Sequence, residues 1–317
     1  MIVEIVAPAR LHFGFYNILS SRFYGSIGLA INSPRYRLRL RRFTGVKVVN
    51  GHVRVESYAK MLVNKLNVEG VYVEVYEEIP QHVGLGSTTQ LLLSLATGID
   101  RLYGLGLKFE DIVRICGRGR ISGIGIEAFR RGGFIVDTGH IFLCEKPIDI
   151  PKPLIRIPFP TNWGIVIVIP KNVRGFSEEE EFKYLIPEEP PLKVKYDLLK
   201  NTFLDMIPSI IEKDYESFSK ALTRLQIAVG TYFSRYQHGI YCCKETEEAV
   251  KNLLKLGAKG VGQSSWGPTA YGIFKTIGEA KKAVKELKHT LTPRKYHIRL
   301  VKGRNIGAKI KVYQSTS

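Results

Sequence analysis

The residues best suited to chemistry form one glycine-rich segment, Pro80-Gln81-His82-Val83-Gly84-Leu85-Gly86-Ser87-Thr88-Thr89. An alternating segment before it predicts a strand, and an apolar stripe after Ser87 predicts a long helix. Gly84 and Gly86 allow backbone N–H groups to turn toward a ligand, and the helix start offers free N–H groups and a positive dipole end to an anion. The hydroxyls of Ser87, Thr88 and Thr89 suit phosphate oxygens or a magnesium ion. We therefore predict a phosphate-binding loop at Gly84–Thr89; a plain glycine turn with a serine cap is the alternative.

The charge balance favours an anionic partner. The 317 residues include 47 Lys and Arg against 29 Asp and Glu, a net charge of +18. Phosphorylated metabolites, nucleic acid or a membrane surface would each fit, and so would a merely solvated basic surface. Residues 35–41 alternate arginine with apolar residues, which predicts a strand with one basic face. Aromatic residues do not interleave on that basic face, as a platform for single-stranded nucleic acid requires, so nucleic acid is not the expected partner.

Composition also suggests the compartment. The longest apolar run, 165–169, has the length of a buried strand and not of a membrane span, and the first residues lack the pattern of a signal peptide. The four cysteines show no metal-binding spacing, and the adjacent pair Cys242–Cys243 is no disulfide framework. We expect a soluble cytoplasmic protein that does not enter a membrane.

The pattern of elements predicts an α+β fold. Segments 2–6, 71–76, 165–169, 270–274 and 297–301 read as strands, and segments 35–42 and 46–49 as a hairpin around Thr44-Gly45. Helices are predicted at 56–66, 87–103, 109–116, 197–211, 215–229, 244–256 and from Gly278, and Ser177 with Glu180 suggests a capping box. The acidic run 178–181 could alternatively bind a metal. Five prolines between 147 and 160 place a domain boundary there, giving domains 1–160 and 161–317.

Three blocks resemble the GHMP kinases. The segment 80–89 resembles their nucleotide-phosphate loop, and Ala7-Pro8-Ala9-Arg10-Leu11-His12-Phe13-Gly14 resembles their N-terminal motif. Gly260-Val261-Gly262-Gln263-Ser264-Ser265-Trp266-Gly267-Pro268 resembles their C-terminal glycine motif, which packs beside the phosphate loop. The resemblance implies a ribosomal-protein-like N-terminal domain, a ferredoxin-like C-terminal domain and an active site between them.

A fourth block departs from the kinase pattern. Ser122-Gly123-Ile124-Gly125 resembles the kinase block Ser-Gly-x-Asp, in which the aspartate is catalytic. Gly125 cannot orient or deprotonate an attacking hydroxyl, and Arg10 replaces the usual lysine. Glu127 or Asp137 could substitute from nearby.

These departures resemble the β-ribofuranosylaminobenzene 5'-phosphate synthases. The resemblance rests on 117–126, on Arg131-Gly132-Gly133-Phe134-Ile135-Val136-Asp137 and on 262–269. It implies a decarboxylating pentosyltransferase that joins phosphoribosyl pyrophosphate to 4-aminobenzoate or 4-hydroxybenzoate, releases pyrophosphate and carbon dioxide, and uses magnesium in archaeal methanopterin biosynthesis.

The chemistry of that reaction suggests roles for particular residues. Arg118 and Arg120, flanking Gly119, are the preferred catalytic cations for the benzoate carboxylate, ahead of Arg130 and Arg131. Asp137 or Glu127 could stabilise a cationic ribosyl carbon, and Asp137 is the preferred candidate. Ser87 is the candidate magnesium ligand. Substrate or phosphate contacts are predicted for Arg10, His12, Gly84, Leu85, Gly86, Ser87, Thr88, Thr89, Gly262, Gln263, Ser264 and Ser265. Trp266 could stack on the aromatic acid, although a core position is the commoner case for tryptophan.

Two other functions remain open from the sequence. An ATP-dependent small-molecule kinase of the same fold is the first, and the glycine at 125 counts against it. An RNA-binding protein is the second, and it leaves the ordered glycine motifs unexplained. A homodimer is possible, and the sequence does not decide between the two benzoates.

Overall fold

The computed structural model of the protein describes residues 1–143, 146–147, 150–176, 180–181 and 188–314. Its strands are β1 (Ile2–Leu19), β2 (Phe23–Arg42), β3 (Gly45–Val49), β4 (Gly70–Glu77), β5 (Phe134–Asp137), β6 (Phe142–Leu143), β7 (Lys146–Pro147), β8 (Pro153–Ile157), β9 (Gly164–Pro170), β10 (Gly260–Gln263), β11 (Ala270–Phe274), β12 (Tyr296–Val301) and β13 (Lys309–Tyr313).

The helices follow in the same chain order. They are α1 (Val53–Lys65), α2 (Ser87–Tyr103), α3 (Phe109–Ile115), α4 (Ile124–Arg130), α5 (Leu192–Leu199), α6 (Ile207–Glu212), α7 (Tyr215–Phe233), α8 (Lys244–Lys255) and α9 (Ile277–Thr290). A π-helical segment, Lys200–Met206, joins α5 to α6, and a short 3-10 turn, Ser234–Tyr236, follows α7. The capping box predicted at Ser177 lies outside the described residues.

The larger sheet belongs mainly to the N-terminal half. Its order is β13-β1-β2-β4-β3, with β5 paired to β2 and β8 paired to β5. Along β2 the side chains of Tyr36, Leu38 and Leu40 are buried, whereas the arginines between them reach solvent. This alternation confirms the strand with one basic face, because successive side chains point to opposite sides of a sheet.

The predicted hairpin around Thr44-Gly45 is wrong. β3 does not pair with β2; it pairs in parallel with β4, which lies between them. The intervening α1 makes the crossover, burying Val55, Ala59 and Leu62. A parallel pair requires such a crossover, and strand alternation alone does not reveal which neighbour a strand selects.

The statement that no aromatic residues interleave on the basic face is also wrong. Tyr76 of β4 lies beside Arg37 and Arg39, with guanidinium carbons 5.4 and 5.3 Å from the ring centroid. Tyr72 lies 3.9 Å from the guanidinium carbon of Arg41. These rings come from the adjacent strand, so the sequence of β2 gave no sign of them.

The smaller sheet has the ferredoxin-like arrangement. Its antiparallel order is β10-β11-β9-β12, so β9 and β11 are central. All seven residues of β9 are buried, as its continuous apolar run predicts. Helices α7, α8 and α9 pack on this sheet, placing the loop after β10 against the N-terminal half.

A large hydrophobic core cluster runs through both halves, from Val3 and Leu11 of the larger sheet to Ile165 and Tyr271 of the smaller one. Along the chain, strands β1 to β8 come before residue 160 and strands β9 to β12 of the smaller sheet come after it. The last strand, β13, then returns to pair with β1. No helix in the described part of the chain combines the length and apolar character that crossing a bilayer would need.

Candidate active site

A cleft of about 1080 Å³ lies between the two halves of the chain. The phosphate loop forms one wall, and Gly84 and Gly86 both adopt positive φ, 76° and 78°. Gly86 is the residue before α2, and no side chain caps that helix. The first backbone N–H groups of α2 therefore lie at the cleft wall without a side-chain cap. Uncapped N–H groups at the start of a helix are a common binding site for anions.

Arg10 holds the loop from behind. Its Nη1 donates to the carbonyl oxygen of Gly84 at 2.5 Å, and its backbone N–H donates to the carbonyl of Leu85 at 3.1 Å. A Cβ at Gly86 would lie 3.1 Å from the Cγ of Arg10, so glycine permits this close packing. Burial lowers the pKa of Arg10 to about 10, with a further lowering by Arg118 and an opposing effect of Glu181. The side chain is still a cation at neutral pH.

The C-terminal glycine motif packs beside the phosphate loop, as predicted. The Ser264 hydroxyl donates to the carbonyl of Gly84 at 2.5 Å, and the Thr269 hydroxyl donates to the carbonyl of Val83 at the same distance. Ser265 and Gln263 line the cleft, whereas Ser264 is buried beneath it. Gly262 packs against Gln226, where a Cβ would collide with the amide. Ser264 and Gly262 therefore shape the site from outside its lining.

His12 lies at the bottom of the cleft and is buried. Its Nδ1 accepts a hydrogen bond from the backbone N–H of Gly14 at 3.2 Å, and its ring stands edge-on to Phe15. Burial, reinforced by Arg10, lowers the pKa of His12 to about 3. The imidazole is thus neutral at physiological pH and serves as a hydrogen-bonding group, not as a cation.

Arg118 and Arg120 reach the cleft from the loop between α3 and α4. Gly117 and Gly119 adopt positive φ, 62° and 89°, which turns this loop toward the phosphate loop. The Nε of Arg118 donates to the Thr89 hydroxyl at 3.1 Å. Arg130 and Arg131 instead pair with Glu110 and Glu127 outside the lining. Of the four arginines considered, the structure therefore brings together the preferred two.

Gly125 lies in the cleft wall, at the position where the kinase motif has aspartate. A Cβ built on it would lie 3.2 Å from the Cγ2 of Thr89. Its carbonyl accepts a hydrogen bond from Gln90 Nε2 at 2.7 Å. The glycine therefore leaves room beside Thr89 and Arg118 where a carboxylate would otherwise project.

Asp137 lies behind the cleft wall and not in the described lining. Its carboxylate accepts backbone hydrogen bonds from Gly123, Ser26 and Gly139 at 2.7, 2.8 and 2.9 Å. Burial raises its pKa to about 6, although these hydrogen bonds act in the opposite direction. Asp137 holds the turn that leads into α4, and a catalytic role for it stays a prediction.

Aromatic side chains form another part of the cleft wall. Trp266 packs between Phe176 and Phe233, with ring centroids 5.3 and 5.1 Å away, and all three line the cleft. Phe15 continues the wall, 6.0 Å from Phe233. Although Trp266 is only 8% exposed, it borders the cavity, so a flat aromatic ligand would meet an aromatic surface there.

Several lining residues escaped the sequence analysis. Arg54 begins α1, Arg174 follows β9, and Gln226 is a buried polar residue on α7. Glu181, from the acidic run, also lines the cleft. The sequence does contain a signal for Gln226, because a polar residue within a buried helical stripe needs a hydrogen-bond partner. In the structure its amide donates to the carbonyl of Phe13 and accepts from the backbone N–H of Gln263.

The oxygen donors fit a magnesium ion that is shared with a ligand. The hydroxyls of Ser87, Thr88 and Thr89 lie at the start of α2 in the cleft lining, and Glu181 is a carboxylate in the same lining. Within the described ranges no group of three His, Cys, Asp or Glu side chains could hold a metal. Magnesium commonly binds with few protein ligands, completing its octahedron with phosphate oxygens and water. Such a shared site is what this donor set allows.

Two family profiles and several known proteins match this chain. The profile for the GHMP kinases N terminal domain matches residues 54–129, and that for GHMP kinases C terminal matches residues 206–292. The chain is 31% identical over 327 residues to the β-ribofuranosylphenol 5'-phosphate synthase of Archaeoglobus fulgidus, covering 98% of this chain and 100% of that protein. The chain belongs to the β-ribofuranosylphenol 5'-phosphate synthase family.

Further similarities place this synthase family within the GHMP fold. The synthase of Methanothermobacter thermautotrophicus is 30% identical over 86% of this chain and 89% of its own length. The crystal structure of homoserine kinase from Cytophaga hutchinsonii superposes with a TM-score of 0.70, covering 98% of this chain and 97% of that one at 17% identity. The synthase family member described here thus shares its fold with kinases, confirming the predicted two-part GHMP architecture.

Proposed function

We propose that this protein joins phosphoribosyl pyrophosphate to 4-hydroxybenzoate, forming β-ribofuranosylphenol 5'-phosphate with release of pyrophosphate and carbon dioxide. The observation that carries the proposal is the composition of the cleft. The phosphate loop, Arg10 and an aromatic wall containing Trp266 line one cleft, and Gly125 stands where the kinase motif has its carboxylate. The phenol in the names of the relatives favours the hydroxylated acid over 4-aminobenzoate.

In the proposed reaction one bond breaks in each substrate, and one new bond joins the two substrates. The C1'–oxygen bond of the ribose breaks, and its electron pair leaves with pyrophosphate. The ring carbon that bears the carboxylate forms the new bond to C1'. The bond from that carbon to the carboxylate then breaks, its electrons restore the aromatic ring, and carbon dioxide departs.

Charge develops on pyrophosphate as it leaves, and the start of α2 is suited to stabilise it. Free backbone N–H groups, the helix dipole and the cationic Arg10 converge there. These groups are already fixed by the contacts to Gly84 and Leu85, so little reorganisation is required during the reaction. A bound magnesium ion, held by Ser87 and neighbouring hydroxyls, would supply further neutralisation of the phosphate oxygens.

The benzoate requires an aromatic contact and a cation. Trp266, Phe233 and Phe15 provide the ring surface, while Arg118 and Arg120 provide guanidinium groups for the carboxylate. The aromatic wall also excludes water, which would otherwise capture the cationic ribosyl carbon. We place this reaction in the cytoplasmic synthesis of methanopterin-type pterins, because a C-riboside phosphate of a phenol is the product that such a pathway consumes.

The decisive experiment uses carboxyl-labelled 4-hydroxybenzoate with magnesium and phosphoribosyl pyrophosphate. We expect labelled carbon dioxide only when protein, both substrates and magnesium are present, and weaker release from labelled 4-aminobenzoate. A parallel reaction contains ATP with homoserine or mevalonate. Phosphorylation of either acceptor without benzoate-dependent release of carbon dioxide would overturn the proposal in favour of a kinase.

A further inference from the structure

Three nitrogen-bearing side chains meet at the mouth of the cleft, on the α1 side of the phosphate loop. We call Arg54, His82 and Arg174 the basic triad. The Nη1 of Arg54 lies 3.0 Å from His82 Nε2, and the Nη2 of Arg174 lies 3.5 Å from the same atom. Both guanidinium groups therefore lie within hydrogen-bonding distance of one imidazole nitrogen, which can accept a hydrogen bond from either of them.

The triad is assembled from both halves of the chain. Arg54 comes from the first turn of α1, His82 from the turn just before the phosphate loop and Arg174 from the segment after β9. The backbone N–H of Gly175 donates to the carbonyl of His82 at 2.7 Å, fixing the Arg174 segment against the loop. His82 holds a positive φ of 53°, so the loop presents this side chain in a constrained conformation.

The hydrogen-bond partners of Arg54 are uncharged groups. Besides His82 it donates to Gln81 at 3.0 Å and to the hydroxyls of Tyr58 and Thr88 at 2.6 and 3.4 Å. In the part of the chain that the structure describes, neither Arg54 nor Arg174 forms an ion pair with a carboxylate. Burial lowers the pKa of His82, and Arg174 and Arg54 lower it further, while a backbone hydrogen bond to Phe176 and the charge of Glu180 act against this.

Two guanidinium groups beside a partly buried imidazole favour the binding of an anion, in addition to the nearby charge of Glu180. Arginine forks match the oxygens of a phosphate group, and bidentate pairs of this kind are among the stronger hydrogen bonds in proteins. The cluster therefore has the positive charge and the hydrogen-bond donors that a phosphate group requires.

The triad lies next to the anion site formed by Arg10 and the start of α2, and it reaches that site through the contact of Arg54 with the Thr88 hydroxyl. Arg54 approaches Thr88 and Arg118 approaches Thr89, so the two arginines flank the first turn of α2 from different sides.

A phosphorylated ribose that carries pyrophosphate at C1' has two anionic ends. We propose that the basic triad binds the 5'-phosphate monoester of the ribose, leaving the phosphate loop and Arg10 for the pyrophosphate. The identity of the substrate rests on the proposed function, whereas binding of a phosphomonoester can be measured without turnover.

The test is calorimetric titration of the full chain with ribose 5-phosphate and, separately, with pyrophosphate. Arg174→Gln is the main variant, because Arg174 is exposed, so we expect the substitution to preserve the fold. His82→Asn is the second, since asparagine tolerates positive φ. Arg114→Gln is the matched control, an exposed arginine on α3 that pairs with Asp111 away from the cleft.

We expect Arg174→Gln and His82→Asn each to weaken ribose 5-phosphate binding by at least about tenfold, which corresponds to one lost charge-assisted hydrogen bond. Pyrophosphate affinity should stay within about twofold of the unaltered protein, as should both affinities of the control. Loss of pyrophosphate binding with unchanged ribose 5-phosphate binding would overturn the assignment, and so would unchanged affinity for both ligands.

The outcome is independent of the proposed reaction. If no carbon dioxide is released but the triad variants still lose ribose 5-phosphate, the phosphomonoester site stands and the reaction is wrong. If carbon dioxide is released and the triad variants bind ribose 5-phosphate normally, the reaction stands and this inference is wrong.

Discussion

The hydroxyl of Ser264 donates a hydrogen bond to the carbonyl oxygen of Gly84, and 2.5 Å separates the two oxygens. The same hydroxyl accepts a hydrogen bond from the backbone N–H of His12 at 3.0 Å. One buried side chain thereby joins three segments, the N-terminal motif, the phosphate loop and the loop after β10. Their relative position, on which the cleft depends, is set by this contact and by the parallel bond from Thr269 to Val83.

Ser264→Ala is expected to loosen this junction. It leaves the buried N–H of His12 without its partner, so the free energy of unfolding should fall by about 1–3 kcal/mol. Chemical denaturation measures this change, and Ser57→Ala, at an exposed serine on α1, is the control that should change little. Equal stability of the two variants would show that the junction is not held by Ser264.

Gly86→Val is expected to abolish binding of pyrophosphate. The side chain would stand against Arg10 at the start of α2, where the backbone must approach an anion, and it would also strain a positive φ. Gly104→Val separates these two effects, because Gly104 caps the other end of the same helix at a positive φ of 65° with open space around it. Both variants should unfold at lower temperature, but only Gly86→Val should lose the binding of pyrophosphate measured by calorimetry. Equal pyrophosphate affinities of the two variants would mean that the loop is a structural turn and does not bind the anion.

Features contiguous in sequence were the ones that sequence reasoning could find. The phosphate loop places its glycines and hydroxyls within six residues, and the strand and helix on either side are visible as changes of periodicity. The fold could be predicted because ordered blocks along the chain resemble those of the GHMP kinases. The proximity of Ser264 to Gly84 followed from that resemblance and not from any pattern in the residues themselves.

Features created by tertiary packing could not be found in this way. Arg54 and Arg174 lie 120 positions apart and carry no local motif, so only the folded chain shows that they meet at His82. The parallel pairing of β3 with β4 depends on the packing of α1, and strand periodicity does not contain this choice. Likewise, Asp137 lies close to Gly123 only because the fold brings β5, which carries Asp137, beside the turn that contains Gly123.

The buried carboxyl of Asp137 predicts a dependence of stability on pH. Its pKa is raised from 3.8 to about 6, so the folded state favours the protonated form. The stability that protonation confers is fully present below pH 4 and is lost as the pH rises through about 6. Over this window the group is expected to lower the free energy of unfolding by about 2–3 kcal/mol.

Asp137→Asn tests this dependence. The variant should be less stable at low pH, because an amide N–H₂ group placed near Gly123 or Ser26 would oppose a backbone donor. The difference in unfolding free energy between the two proteins should shrink as the pH rises from 4 to 7, because asparagine does not titrate. A constant difference across this range would mean that Asp137 has an ordinary pKa.

The last prediction separates a synthase from a kinase at Gly125. An aspartate placed there would project beside Thr89 and Arg118, since a Cβ at this position already lies 3.2 Å from Thr89. We expect its carboxylate to attract the Arg118 guanidinium and withdraw it from the benzoate. Gly125→Asp should therefore lower benzoate-dependent release of carbon dioxide by about tenfold or more, an effect comparable to losing one charge-assisted hydrogen bond, without creating efficient phosphoryl transfer from ATP.

Two further variants make the argument specific to charge. Gly125→Ala adds bulk without a carboxylate and should reduce turnover less than Gly125→Asp. Arg118→Ala should match the aspartate variant, because both remove the same cation from the substrate, and Arg114→Ala should leave turnover unchanged. Transfer to phosphorus would still require a positioned hydroxyl acceptor and an ATP site, and one added carboxylate supplies neither. Robust ATP-dependent phosphorylation by Gly125→Asp, with turnover of the benzoate intact, would contradict this account of the position.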